Sequence, residues 1–489
     1  MNDPQRILIP PKTGAAYDLA VIGGGPAGFF GALSAAEANP GLRIVILERG
    51  SQLLAKVRIS GGGRCNVTHA CFDPAELVGY YPRGSRELRG PFTRFQPADT
   101  VAWFEARGVS LKAEADGRMF PVTDKSETVI DCLLTETAKA GIEIRTRTSV
   151  AAIIPVGDGF ELKLGAAETL FALKVLIAAG GGNARAYDLA ANLGHTLIPP
   201  VPSLFTFKIR DPRLADLAGI SVPEARLSIR SPEKIETSGP LLITHWGLSG
   251  PAALKLSAWG ARALAEVNYR TELIVNWVPA HHEQSAFELL KAVKQQTPRQ
   301  QVGSHPQAGL PSRLWGRLCA ATGIAFEHTW AETSHQMLRA LAGEMTAGFY
   351  QIEGKGVFKE EFVTAGGVAL KEVDFRKMES RIVPGVYFAG EYLDIDGLTG
   401  GFNFQAAWTT GWLAGQAAAP ATAVAGLPGL VTAPLSPALP PAAPRALPAD
   451  HPPGCSTLRG HPRWHTTPRS GCYSSDVPIQ RSKLTCSLP

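Results

Sequence analysis

Apolar and polar positions divide this chain into stretches of different character. Residues 17–22 are almost uninterruptedly apolar and read as a buried strand. They run into a glycine turn, Gly23-Gly24-Gly25-Pro26-Ala27-Gly28, then an apolar helix, then a second strand over residues 42–47 closed by Glu48. Residues 142–146 and 160–164 alternate apolar with polar, the pattern of half-buried strands. Residues 174–179 form another apolar strand, ending on Gly180-Gly181-Gly182. Between residues 197 and 277 short apolar segments are separated by Pro and Gly, which predicts a small β-rich domain. Leu, Ala and Met fall on one side at helical spacing over residues 285–296, 311–322 and 333–345, which predicts a helical cap. Strand patterns return at residues 349–352 and 361–368. A last strand, residues 386–389, leads to Gly390-Glu391, then to Gly397-Leu398-Thr399-Gly400-Gly401 and a helix that runs through Trp412. No internal repeat is visible beyond recurring glycine turns at strand ends. The predicted order is a discontinuous dinucleotide-binding domain over residues 15–195 and 348–418. Into it are inserted a β-rich part, residues 196–280, and a helical cap, residues 281–347.

The first turn is a G-x-G-x-x-G with its strand, helix and acid in the order that dinucleotide binding requires. Gly23 permits the tight turn, Gly25 lets the backbone approach a pyrophosphate, and Gly28 lets helix and strand pack closely. Pro26 and Ala27 open the helix, whose N-terminus supplies positive potential for phosphates. Glu48 stands about twenty residues beyond the last glycine, placed for an adenosine ribose. An acid there suits NAD and FAD alike. The later segments favour FAD. The strand ending on Gly180 and Gly181 is of the kind found where a second strand meets a flavin dinucleotide. The C-terminal pattern resembles the end of glutathione-reductase-type flavoproteins. That resemblance implies that Glu391, after Gly390, holds the ribityl chain. It also implies that the helix after Gly400 and Gly401, with Asn403 in its first turn, faces the flavin N1 and C2 carbonyl, where its dipole favours the anionic reduced flavin.

Four segments carry a family resemblance: residues 58–68, reading Arg-Ile-Ser-Gly-Gly-Gly-Arg-Cys-Asn-Val-Thr, and residues 201–207, 244–252 and 388–412. Together they resemble the bacterial BaiN-like NAD(P)/FAD-dependent oxidoreductases, also called aminoacetone oxidase family FAD-binding enzymes. The resemblance extends over about residues 15–418, in order and without large gaps. It implies an α/β fold: a glutathione-reductase-type FAD-binding Rossmann domain, interrupted by a second domain. It does not imply a substrate. One departure is a shortened loop after Gly182, where many relatives carry a Ser-Tyr-Pro-rich segment, so a substrate-side wall is expected to differ.

Composition changes the picture mainly at the C-terminus. From Pro420 the chain turns Ala-, Pro- and Ser-rich without periodicity and holds 14 of the 38 prolines, which predicts a disordered tail over residues 419–489. That tail carries six Lys and Arg against two Asp, and so four of the formal charges in the net +5. The remainder is close to neutral, weak grounds for nucleic-acid binding. Cys65, Cys71, Cys132 and Cys319 lie at irregular spacings in the core, and Cys455, Cys472 and Cys486 lie in the tail. With no apolar leader in the first residues, reduced thiols and a cytoplasmic location are expected. No apolar run is long enough to span a bilayer. Cys455, His461, His465 and Cys472 are too irregularly spaced for a zinc site, and no metal is expected.

Residues 60–66 are the segment expected over the flavin, because Gly61, Gly62 and Gly63 let main chain approach a ring system. Arg64 is a candidate anchor for an anionic or carbonyl substrate, or a tether for the FAD pyrophosphate. Asn66 is a candidate hydrogen-bond partner of flavin or substrate, and His245, in a Gly-rich turn, a candidate proton donor. The C-x5-C spacing of Cys65 and Cys71 is one residue longer than in flavin disulfide reductases, so buried inert thiols are the expectation. The function expected is a FAD-dependent oxidoreductase acting on a small organic substrate. With a single complete fingerprint, NAD(P)H would serve only as a transient donor. A flavin-dependent RNA-modifying enzyme and a non-catalytic flavin holder are the rivals, and the oligomeric state is not legible. A chain truncated after Ala419 should keep its FAD and lie within about 1 kcal/mol of full-length stability, whereas a cut at Trp408 should cost several times that. Insoluble or FAD-free truncated protein would show that the tail is structural.

Overall fold

The computed structural model describes residues 17–419 except 166–167, 183 and 357–362. The Pro-rich tail, with its cysteines and histidines, therefore lies outside the described residues. Strand Tyr17–Ile22 sits in the middle of a nine-stranded sheet. It pairs in parallel with Ile44–Leu47 on one side and Glu168–Ile177 on the other. Glu143–Arg145 and Val386–Phe388 extend the parallel set outward. Strands covered on both faces need no polar side, which is why these segments read as continuous apolar runs. Glu168–Ile177 serves twice. Its first half pairs antiparallel with Gly159–Leu164, which pairs in turn with Val150–Val156, and its second half joins the parallel set. At the far edge lie the short antiparallel strands Glu379–Ser380 and Val373–Asp374. The parallel registers bring Ile22, Leu47, Ile177 and Phe388 to the same end of the sheet, the end where open α/β sheets bind ligands.

The helix that follows the first strand, Pro26–Ala38, packs along the last, Phe402–Ala418. Both are apolar nearly all round and buried, so neither has a solvent face to set its rotation. Small residues set it instead. A Cβ at Gly411 would lie 2.5 Å from the Ala27 carbonyl oxygen, and one at Gly415 would lie 2.2 Å from that of Gly31. The backbones therefore touch. Ser34 Oγ donates to the Trp412 carbonyl at 2.8 Å, and Gln416 Nε2 donates to the Ser34 carbonyl at 3.2 Å. Phe30 seals one side, 4.6 Å from Trp103, 5.0 Å from Trp408 and 5.5 Å from Phe95 between ring centroids.

The inserted segment is a closed six-stranded barrel, ordered Phe207–Ile209, Gly247–Ser249, Ile235–Thr244, Ser221–Ile229, Thr271–Asn276 and Gly348–Lys355. Two expectations change here. The strand at residues 349–352, read as the return of the dinucleotide domain, pairs with Phe207–Ile209 and Thr271–Asn276 and completes the barrel. Its strict alternation of buried and exposed residues belongs to a wall with one face on the barrel core. The boundary expected at 348 therefore falls after Lys355. Nor do helices Glu283–Gln296, Ser312–Ala321 and His335–Ala347 form a layer of their own: Phe287, Trp315 and Leu341 share one core with Leu227, Leu273 and Ile352. Within the stretch expected to be β-rich lie two further helices, Pro251–Trp259 and Ala261–Glu266.

The chain enters the barrel through Leu197–Ser203 and returns through Val363–Val368, which pair antiparallel. Ion pairs reinforce this crossing. Arg83 pairs with the fully buried Asp396 and donates to the Ala258 carbonyl at 2.7 Å, while Ser203 Oγ donates to Asp396 at 2.6 Å. Burial pushes the Asp396 carboxyl above the usual carboxylate range, opposed by Arg83 and Ser203. Arg262 donates to both oxygens of Asp394, at 2.5 and 2.6 Å. No helix among the described residues is long and apolar enough to cross a membrane.

The helix seam makes a direct prediction. In Gly415→Ala the new methyl group meets the Gly31 carbonyl, so the helices must part, at a cost of about 2 kcal/mol. Gly343→Ala is the control, since a Cβ there meets nothing within 4 Å. Thermal melting should show a clear loss for the first and none for the second; equal melting temperatures would contradict close backbone packing.

Candidate flavin site

The glycines at the carboxyl end of the sheet fall into two classes. Gly23, at φ +114°, would place a Cβ 2.3 Å from the Ala178 carbonyl oxygen, and Gly28 would place one 2.0 Å from that of Gly23. The fold itself requires both. Gly25 is different: its φ of −95° suits any residue, and a Cβ there meets nothing within 4 Å. It leaves open space in front of helix Pro26–Ala38, whose N-terminus has no side-chain cap. Free amides facing a gap suit a pyrophosphate. Glu48 accepts the Gly24 amide at 2.8 Å and the Gly50 amide at 2.6 Å. Those bonds fix the carboxylate beside the turn and leave lone pairs for ribose hydroxyls.

Opposite this turn the C-terminal residues close in. A Cβ at Gly390, φ +68°, would stand 2.8 Å from the Ala27 Cβ, and its amide donates to Thr410 Oγ1 at 2.9 Å. Glu391 accepts the Thr364 amide at 2.7 Å and pairs with Lys56. A Cβ at Gly181 would sit 2.6 Å from Thr364 Cβ and 2.9 Å from Glu391 Cγ, so the two strand ends meet at the acid. Gly180 and Gly182 face open space. Helix Phe402–Ala418 starts at Gly401, φ +97°, again without a side-chain cap. Gly400 is also left-handed, φ +129°. Asn403 turns back onto its own loop, accepting the Gly397 amide and donating to the Gly397 carbonyl, both at 2.8 Å. Its side chain is thus engaged in shaping the turn.

The segment expected over the flavin is helical from Ala55, breaks at Ser60, and continues through left-handed Gly61, Gly62, Gly63 and Cys65. Gly61 packs on Phe120, while Gly62 and Gly63 border open space. Asn66, with its amide set to satisfy both neighbours, donates to the Thr68 carbonyl and accepts the Gly401 amide, each at 3.0 Å. It joins the glycine segment to the start of the last helix. Arg64 is placed differently from expectation. Its guanidinium lies 2.7 Å from Glu114 and 3.6 Å from Asp124, over the Phe120 ring. Two carboxylates balance the charge that was to anchor pyrophosphate or substrate.

His245 lies on the exposed turn between barrel strands Ile235–Thr244 and Gly247–Ser249. It lines a hollow with Arg210 and Arg313, and none of the dinucleotide-binding turns contributes to that hollow. Cys65 and Cys71 are free, buried thiols. Burial pushes Cys65 up to about 12, and burial with nearby Glu76 raises Cys71, which disfavours the thiolate that disulfide exchange needs. Among the described residues no group of His, Cys, Asp and Glu could hold a metal.

Several neighbours of the site escaped the sequence reading. Lys56 and Thr364 hold Glu391, and no pattern marks them. Gln405 is buried and accepts from Thr68 at 2.6 Å and Thr100 at 2.9 Å; a polar residue amid the apolar run of the last helix was the available signal. His69 stacks on Phe402 at 4.5 Å, with Nε2 3.1 Å from the Asp116 carbonyl. Burial lowers its pKa and favours neutral imidazole.

This geometry belongs to a known family. Residues 17–417 match the model of the HI0933-like protein Rossmann domain, and the chain belongs to that family, a family of FAD-binding oxidoreductases. It is 29% identical to a ribosomal RNA dihydrouridine synthase of Escherichia coli, over 81% of this chain and 96% of that protein. It is also 29% identical to a 3-dehydro-bile acid delta(4,6)-reductase of Clostridium scindens, over 80% of this chain and 97% of that protein. Among solved structures, it is similar to a 3-ketosteroid delta1-dehydrogenase from Sterolibacterium denitrificans: 13% identity, TM-score 0.46, covering 82% of this chain and 99% of that one.

Gly25 gives the sharpest test of the site. Because the protein leaves room at that Cβ, Gly25→Val should fold and melt like flavin-stripped wild type yet purify without stoichiometric FAD. Retained FAD in that variant would remove the pyrophosphate from this turn.

Proposed function

We propose that the protein binds one FAD non-covalently in this cradle and reduces a small, unsaturated organic carbonyl compound with it. The observation that carries the cofactor reading is Gly25: the fold does not require a glycine there, but a pyrophosphate would. The flavin supplies two-electron chemistry, accepting hydride from a donor and passing it to an acceptor. The chain's own residues then divide the binding. Gly25 and the N-terminus at Pro26 and Ala27 receive the pyrophosphate, and Glu48 the adenosine ribose. Glu391, oriented by Lys56 and Thr364, suits the ribityl hydroxyls. The N-terminus of helix Phe402–Ala418 favours negative charge on the pyrimidine edge. Gly62 lets main chain lie close to a planar ring and Gly180 keeps a side chain out of the cleft, while Gly61, Gly181, Gly390, Gly400 and Gly401 let the surrounding segments pack closely enough to shape it. Of the catalytic candidates, Asn66 stands within the cradle, bonded to Gly401.

The substrate class rests on the relatives. One is named for reducing a bile acid and two for making dihydrouridine in ribosomal RNA. Both names describe hydrogen added across a carbon–carbon double bond conjugated to a carbonyl. In such a reaction hydride adds to the β-carbon and a proton to the α-carbon, and NAD(P)H is the donor we assign. The RNA reading is the second one, favoured by the match over 81% of the chain and disfavoured by a core near neutrality.

Anaerobic titration of the holoprotein with NADH and NADPH should bleach the flavin with at least one of them. A conjugated enone should then reoxidise it faster than oxygen does. A photoreduced flavin that neither acceptor reoxidises would leave only a flavin holder, and RNA retained at moderate salt would turn the proposal to RNA.

A further inference from the structure

At the far edge of the sheet, away from the cradle's turns, cations converge on a hollow of about 780 Å³. It lies between the end of helix Ser85–Phe92 and the edge strand Val373–Asp374. Arg86, Arg94, Lys371, Arg376 and Arg381 line it, against two carboxylates, Glu87 and Asp374. Asp374 is already engaged: Arg376 donates to both its oxygens at 3.0 Å, and Arg381 lies 3.9 Å away. Those cations hold its carboxyl below the usual range, Arg376 foremost. Arg94 donates to the Arg376 carbonyl at 2.6 Å rather than to a carboxylate. Arg86 and Lys371 are exposed and, among the described residues, have neither an ion pair nor a side-chain hydrogen bond. Positive charge therefore exceeds negative here, even counting Glu372, which interacts electrostatically with Lys371, although the core as a whole is nearly neutral.

The carbonyls that would repel an anion at this helix end are spent. Gly90 O accepts from the Thr93 amide and hydroxyl, and Pro91 O from the amides of Arg94 and Phe95. Pro91, Leu370 and the half-buried Phe375 add apolar surface to the hollow's lining. Guanidinium and ammonium groups lining one hollow with an aromatic ring match phosphate joined to a planar base.

We propose that this hollow binds a nucleoside phosphate, its phosphate on Arg86, Arg94 and Lys371 and its base against Phe375. The site stands on its own observations and does not depend on the flavin reading. Free nucleotides and a nucleic-acid strand present the same chemistry, so the experiment uses both. Full-length holoprotein is titrated with ADP and, separately, with oligouridylate, at low and moderate salt, alongside the Arg86→Gln, Lys371→Gln double variant and Phe375→Leu. The cationic tail is present throughout, so only the difference between variants and wild type is read. Binding should weaken at least tenfold in the double variant, with FAD content unchanged. Phe375→Leu should lose affinity for ADP but not for inorganic pyrophosphate. ADP alone saturating the site identifies a free nucleotide; oligouridylate binding with the steeper salt dependence identifies a strand. Wild-type protein that binds neither at about 1 mM, or a double variant that binds both as tightly as wild type, overturns the proposal.

Discussion

Backbone contact between the first and last helices is the constraint on which the site depends. Gly411 and Gly415 sit against the carbonyls of Ala27 and Gly31, so residues separated by most of the chain approach as closely as two helices can. Long side chains at these positions would push the helix axes to the usual spacing of about 8–10 Å or beyond. The seam places Gly390 against Ala27 and brings the glycine turns at the ends of three strands into one cleft. That seam joins the two parts of a dinucleotide domain that the barrel interrupts.

The cleft's residues separate by what they answer to. Gly23, Gly28, Gly181 and Gly401 are required by neighbouring atoms of the protein, since a Cβ at each would lie only 2.0–2.6 Å from one of them. Gly25, Gly62, Gly63 and Gly180 have no such neighbour. Two uncapped helix N-termini, a pair of anchored carboxylates and glycines facing open space are costs to an empty protein and gains to one holding a long anionic cofactor. The same distinction separates Asn66, which ties the glycine segment to Gly401, from Arg64, whose charge is taken by Glu114 and Asp124.

The dinucleotide strands, the glycine turns and the three helices after residue 283 were legible because their signals are local: apolar runs, glycines at fixed spacing and helical periodicity. What could not be read depended on distant partners. The strand at residues 349–352 has the same alternation whether it joins a flavin domain or closes a barrel; pairing with Phe207–Ile209 and Thr271–Asn276 decides. Arg64 beside three glycines suggests an anion site until Glu114 and Asp124 come to meet it from fifty and sixty residues away. His245 in a glycine-rich turn looks poised for chemistry, yet that turn belongs to the barrel. Lys56 and Thr364 carry no local mark, since each acts through Glu391, remote in sequence; Gln405 is marked only as a polar residue in an apolar helix, and its partners Thr68 and Thr100 are distant.

If the cradle is built around the AMP half of a flavin dinucleotide as well as the flavin half, cofactor selectivity reports it most directly. Calorimetric titration of flavin-stripped protein should give one FAD per chain and FMN binding at least about a hundredfold weaker, the loss of roughly 3 kcal/mol expected when the contacts at Gly25, Glu48 and the first helix go unused. Equal affinity for FMN and FAD would contradict the account at its centre.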